Sequence, residues 1–201
     1  MNLFTDANAI AQIKQKLVTR MNKRAQRGVT LVELSVAVAV MGLIMAGAMV
    51  GVPRLMNSVK LSQEMKDWQM SVLAVQNAVA SGTLIATTAP DKIRDMAIAE
   101  PFNRPDGTQT ILNRFGGAVT FVPQDGKSYP SSGVKVKSIG YPSAQCEEFA
   151  SKMNGLFATL SINSQSIKDG KSTSLDKINE YCKKNGSDDV TQAELEFTIA
   201  G

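Results

Sequence analysis

Between Arg27 and Pro53 lies the run VTLVELSVAVAVMGLIMAGAMVGV, Val29 to Val52, 24 residues with a single charge at Glu33. At about 1.5 Å per residue an α-helix of this length crosses a hydrocarbon core of about 30 Å. The segment before it, residues 1–28, holds six basic residues (Lys14, Lys16, Arg20, Lys23, Arg24, Arg27) against Asp6. The bias of Lys and Arg toward the cytoplasmic side therefore keeps residues 1–28 inside and sends everything after Pro53 across the membrane. A carboxylate within such a span costs roughly 2.5 to 3.5 kcal/mol, so Glu33 marks a function.

The basic excess belongs to that first segment. The whole chain has 22 Lys and Arg against 18 Asp and Glu, but residues 29–201 carry 16 against 17. Without residues 1–28 nothing is left of an electrostatic footprint for nucleic acid, so nucleic-acid binding is not indicated. There is no histidine, which removes the commonest general base and zinc ligand. The acidic pairs Glu147-Glu148 and Asp188-Asp189 read as solvated surface. No catalytic residue, metal site or cofactor is expected, and the chain is not expected to be an enzyme. Cys146 and Cys182 are too few to close a zinc site. In an oxidising space they read as a disulfide, with two free buried thiols as the alternative.

Past Pro53 the pattern turns amphipathic. Leu61, Met65, Trp68, Val72, Val75 and Val79 recur at helical spacing, while Lys60, Glu64, Lys66, Asp67, Gln69 and Gln76 are assigned to the other side. One helix is expected from Val29 to Ala80, bent at Pro53 and ended by Ser81-Gly82. Its stripe is assigned to packing on the domain's own sheet, Trp68 included, in preference to a coiled-coil seam. Beyond it, Asp91–Glu100 reads as a short helix, and Ala118–Val122, Val134–Tyr141, Leu156–Ile162 and Glu194–Ala200 as strands. In the strand at Val134, Lys135 and Lys137 alternate with Val134, Val136 and Ile139. In the last, Leu195, Phe197 and Ile199 face the core. Ser143 is placed to cap a helix ending at Met153, with Glu147 and Glu148 in its first turns. Polar, Gly-containing loops are expected at 104–107, 123–133, 168–174 and 183–189, and no internal repeat is evident.

The junction Arg24-Ala-Gln-Arg-Gly28-Val29-Thr-Leu-Val-Glu33-Leu34 resembles the class III signal sequence of type IV prepilins, specifically over about the first 53 residues and only in architecture beyond them. The resemblance implies a prepilin peptidase that cuts after Gly28 and methylates the new amino terminus of Val29. The 28-residue leader and non-Phe start resemble the type IVb subgroup, which includes toxin-coregulated, bundle-forming and conjugative-plasmid thin pilins. A start at Met21 would give a shorter leader of the type IVa length.

The fold so implied is α+β: a long bent N-terminal α-helix packed on a twisted antiparallel β-sheet, with a disulfide-closed C-terminal D-region. Its parts would be a cleaved cytoplasmic leader (1–28), a hydrophobic transmembrane and fibre-core helix (29–53), an amphipathic second half (54–81) and a periplasmic or surface globular domain (82–201). The D-region would span about 146–182, stitched by Cys146 and Cys182.

The implied function is that of a major pilin, held in the inner membrane and then polymerised into a surface filament for adhesion, aggregation or conjugative contact. Its implied partners are further copies of itself, the peptidase, an assembly ATPase, an inner-membrane platform and an outer-membrane secretin. Glu33 would pair with the amino terminus of Val29 on a neighbouring subunit and so set the register. Breaking such a buried pair costs roughly 3 to 5 kcal/mol.

Gly42, Gly47 and Gly51 serve either close helix packing or, with Pro53, local melting on assembly. A type II secretion pseudopilin or a minor pilin shares this leader and helix. A membrane-anchored or secreted binding domain is the alternative from another class. Secretion by ordinary cleavage near Ala46-Gly-Ala48 leaves Glu33 unexplained.

Overall fold

The computed structural model describes residues 30–185, 188, 189 and 191–201. Helix α1 (Leu31–Ala80) contains Pro53, and the chain divides into two units between Val52 and Pro53. In the unit Pro53–Gly201 the expected stripe holds: Leu61, Trp68, Val72 and Val75 are buried, and Met65 and Val79 are partly so. α1 ends in a Ser81–Thr83 turn, where the Ser81 and Thr83 hydroxyls donate to the Ala78 carbonyl at 3.2 and 3.1 Å.

The sheet against which this stripe packs has six strands: β1 (Ile111–Leu112), β2 (Ala118–Pro123), β3 (Gly133–Pro142), β4 (Thr159–Ile162), β5 (Gln165–Lys168) and β8 (Gln192–Ala200). Their order is β1-β2-β3-β8-β4-β5, with every neighbouring pair antiparallel. Alternation puts Val119 and Phe121 of β2, Val134 and Val136 of β3, Leu160 and Ile162 of β4, and Leu195, Phe197 and Ile199 of β8 into the core. The aromatics interlock there. Trp68 lies 4.4 Å from Phe102, 6.0 Å from Phe121 and 4.8 Å from Phe197 between ring centroids, with the last pair edge-on.

Several elements differ from the sequence expectation. The helix at Asp91–Glu100 is only α2 (Pro90–Ile93), followed by successive three-residue turns such as Met96 N–H to the Ile93 carbonyl and Ala99 N–H to the Met96 carbonyl. Ile93, Ile98 and Ala99 are all buried, and spacings of five and one do not fit a single helical face. In β3 it is Ser138, not Ile139, that faces inward. A bulge between Ser138 and Tyr141, with Gly140 at φ +88°, then returns Tyr141 to the core.

Helix α3 (Ser143–Met153) opens with Pro142 in the capping position, and its first turn holds no acid. β4 begins at Thr159 because Asn154–Leu156 forms a 3₁₀ turn. β5 joins it through Asn163-Ser164, both at positive φ, the two-residue turn that suits a twisted hairpin. Helix α4 (Ile178–Lys183) leads into a small pair of strands, β6 (Lys184–Asn185) and β7 (Asp188–Asp189), where a loop was expected.

Glu64 and Asp67 are not solvated. Glu64 is fully buried (0 % exposed) and is a hub between helix and sheet. One carboxylate oxygen accepts from Trp68 Nε1 at 2.6 Å and Tyr141 Oη at 2.7 Å, and the other from the Arg114 main-chain N–H at 2.8 Å. Ser138 Oγ donates to Tyr141 Oη at 3.1 Å, and Asn113 Nδ2 to Ser138 Oγ at 3.0 Å. Asp67 takes the Arg114 guanidinium through both oxygens, at 2.5 and 3.1 Å. Burial pushes the Glu64 carboxyl above its usual range against the opposing pull of its three donors. Burial, with the facing Glu64, also lifts the Tyr141 phenol well above its ordinary value.

Candidate assembly helix and disulfide-closed region

α1 begins one residue after Thr30, whose hydroxyl accepts the Glu33 N–H at 3.3 Å. Thr30 and Glu33 thus occupy the capping and third helical positions, a Thr-x-x-Glu spacing that favours a helix start. Glu33 also lies in the first turn, where a negative charge suits the helix dipole. Gly28 and Val29 lie outside the described residues.

From here the helix carries large apolar side chains that are exposed among the described residues. Leu31 is 84 % exposed, Leu43 75 % and Met49 77 %, and the most apolar stretch of 18 residues has no buried member. By length and composition this is a helix that can cross a membrane. A Cβ added at Gly42, Gly47 or Gly51 would meet no atom within 4 Å. No packing contact among the described residues accounts for glycine at these positions.

Cys146 of α3 and Cys182 of α4 form a disulfide, their Cα atoms 5.8 Å apart and both residues fully buried. This favours the disulfide over the free-thiol alternative. Around it Asn179 Nδ2 donates to Glu147 at 2.9 Å, and Asn163 Nδ2 donates to the carbonyls of Tyr181 at 2.7 Å and Lys184 at 3.1 Å. The Glu194 N–H in turn donates to Asn163 Oδ1 at 2.8 Å, so the closed region is tied to β8. Among the described residues no group of three or more His, Cys, Asp or Glu could hold a metal ion.

Residues 59–199 match the family described as PilS N terminal, well over half of the chain. The chain belongs to the PilS family. Residues 23–49 of this PilS-family chain match the prokaryotic N-terminal methylation motif, across the very junction that resembled a prepilin. Both matches support the resemblance to the type IV prepilins. It is similar to the type IVb pilin from Salmonella typhi, at 17 % identity over 70 % of this chain and 99 % of that one, with a TM-score of 0.48. It is also similar to TcpA, a type IV pilin from the Vibrio cholerae El Tor biotype, at 14 % identity over 71 % and 98 % of the two chains, with a TM-score of 0.45. No curated protein matches it.

Proposed function

We propose that this PilS-family pilin is the major, filament-building subunit of a type IVb pilus and not an enzyme. The observation that carries the reading is the apolar half of α1, whose large side chains are exposed among the described residues. Such a surface is stable only in lipid or against other apolar helices. A subunit that moves from one to the other meets both conditions. Contacts between unlike patches that do not close on themselves then give a helical fibre.

In this reading prepilin peptidase cuts between Gly28 and Val29, methylates Val29, and leaves the chain in the inner membrane. An ATPase and membrane platform drive it into a fibre that leaves through a secretin, for adhesion, aggregation or conjugative contact. Glu33 neutralises the amino terminus of a neighbouring Val29 and fixes the step of each docking subunit. Gly42, Gly47 and Gly51, with Pro53, serve close helix packing or local melting.

The test is Glu33→Val in cells making the complete assembly machinery. The variant is expected to be processed and membrane-inserted as usual, because a net cost is removed from the span. Sheared fibre should fall at least about tenfold, from a pair whose loss costs roughly 3 to 5 kcal/mol. Intact mass should show a chain beginning at N-methyl-Val29. Normal fibre yield removes the pairing role, and a mass beginning at Met1 or Met49 removes the prepilin reading. Antibody label confined to the envelope at native expression would favour a pseudopilin.

A further inference from the structure

Between Glu33 and Glu64, α1 has no acid, and its only bases are Arg54 and Lys60. Residues 34–53 are thus 20 residues without a charge, about 30 Å of helix, which matches the thickness of a hydrocarbon core. That stretch ends at Arg54, on the far side of the membrane from residues 1–28.

The helix just past it has a surface of its own. Leu55, Met56 and Val59 are 67, 56 and 51 % exposed, although Leu61, two residues on, is buried in the core. Leu55 and Val59 are four apart and Met56 is three before Val59, so the three form one strip, and Lys60, four after Met56, borders it. Arg54 is exposed and Lys60 partly so, and neither makes an ion pair among the described residues. The next acids along α1, Glu64 and Asp67, are buried and engaged, Glu64 by its three donors and Asp67 by Arg114. No carboxylate on this part of the helix offsets the two cations.

Apolar side chains bordered by cations, with no acid among them, suit the headgroup layer of a bilayer. Measured along the axis from Pro53, Leu55 and Met56 lie about 3 to 5 Å beyond the hydrocarbon and Lys60 about 10 Å, where headgroup layers are about 5 to 7 Å deep. The long Lys60 stem can bring its ammonium back to a phosphate. Arg54 can hold a phosphate through two N–H groups at once. A neighbouring copy would bring only Glu33 in its apolar half to meet two cations, whereas a leaflet offers a phosphate with every lipid.

We infer that residues 54–60 form an interfacial collar that binds anionic phospholipid headgroups and so fixes the depth at which residues 34–53 sit in the membrane. The collar rests on the membrane-held stage of the function proposed above.

The test places the full-length chain in nanodiscs of phosphatidylglycerol and phosphatidylcholine in equal amounts, and native mass spectrometry counts the lipids that stay bound. Wild type should favour phosphatidylglycerol at least about fivefold more strongly than the double variant Arg54→Gln, Lys60→Gln, the worth of one cation near an anionic surface, with residues 1–28 common to both. Lys66→Gln should behave as wild type, because Lys66 is exposed but about 18 Å past Arg54, beyond the Debye length of about 8 Å. The chain's own cysteines are joined to each other, so a nitroxide can be set at Met56→Cys or Lys66→Cys alone. The first should be shielded from a water-soluble nickel complex and the second open to it. Equal lipid preference in wild type and the double variant, or a Met56 position as open to nickel as Lys66, would overturn the collar. Shielding at Met56 that rises with the protein-to-lipid ratio would overturn it too, by giving the strip to a second copy. A chain that fails to enter nanodiscs at all would remove the membrane-held stage, and the collar with it, whereas insertion without selectivity removes the collar alone.

Discussion

Replacing Glu64 by alanine is expected to cost the Pro53–Gly201 unit about 3 kcal/mol, since it takes an acceptor from three donors at roughly 1 to 3 kcal/mol each, of which Trp68 Nε1 alone keeps a second acceptor, Tyr141 Oη at 3.3 Å. These are Trp68 Nε1, the Tyr141 hydroxyl and the Arg114 N–H, which reach it from α1, from β3 and from the segment between β1 and β2. The measurement is urea unfolding of the full-length chain in micelles, followed by the fluorescence of Trp68, the one tryptophan in the chain and a direct partner of the altered group. An unfolding midpoint within error of wild type would show that the hub does not hold helix to sheet.

The same residue predicts a pH dependence with an unusual sign for a carboxylate. Its folded-state pKa is raised above the ordinary carboxylate range by burial. Between the unfolded value and the folded one the native chain therefore holds more protons than the unfolded chain, and stability falls as pH rises through that window. Glu64→Gln cannot titrate. It carries a constant cost of about 1 to 3 kcal/mol, because the amide nitrogen cannot accept the Arg114 N–H. The advantage of wild type over Glu64→Gln should accordingly shrink as pH rises from about 4.5. Asp125 and Asp169, held below their usual range by their own turns, act in the opposite sense. They titrate alike in both proteins and cancel in the difference. Asp67 and Arg114, the charged neighbours of Glu64, are likewise common to both.

Glu64 also marks where sequence reading stops. It was assigned to the other side of the helix, although it lies three residues after Leu61 and four before Trp68, on the buried stripe itself. Its charge argued for solvent, and only the fold supplies Tyr141, 77 residues away, and the Arg114 N–H. The stripe, the alternation of β8 and the Trp68 core position were readable because each rests on period alone. Ile139 was misread because its apolar side chain outweighed its position, which strict alternation with Val134 and Val136 places outward beside Lys135 and Lys137. The β4–β5 hairpin went unread because Asn163-Ser164 lacks the glycine that announces such turns.

Removing the disulfide is the second large effect expected. Cys146 and Cys182 are 36 residues apart, and closing a loop of that size restricts the unfolded chain by roughly 3 to 4 kcal/mol in the chain-entropy account. The enclosed segment contains β4, β5 and α4, so the bridge closes over the edge of the sheet. Both cysteines are buried against apolar neighbours, which makes Cys146→Ala with Cys182→Ala the gentlest replacement. The double variant should unfold at lower urea with a steeper denaturant dependence, because an uncrosslinked unfolded chain exposes more surface. Reductant should move wild type toward the variant and leave the variant where it is. If native hairpin and helix contacts alone held this region, the two proteins would share one midpoint. Asn163, which bonds the Tyr181 and Lys184 carbonyls on either side of Cys182, would then be the residue whose loss opens it.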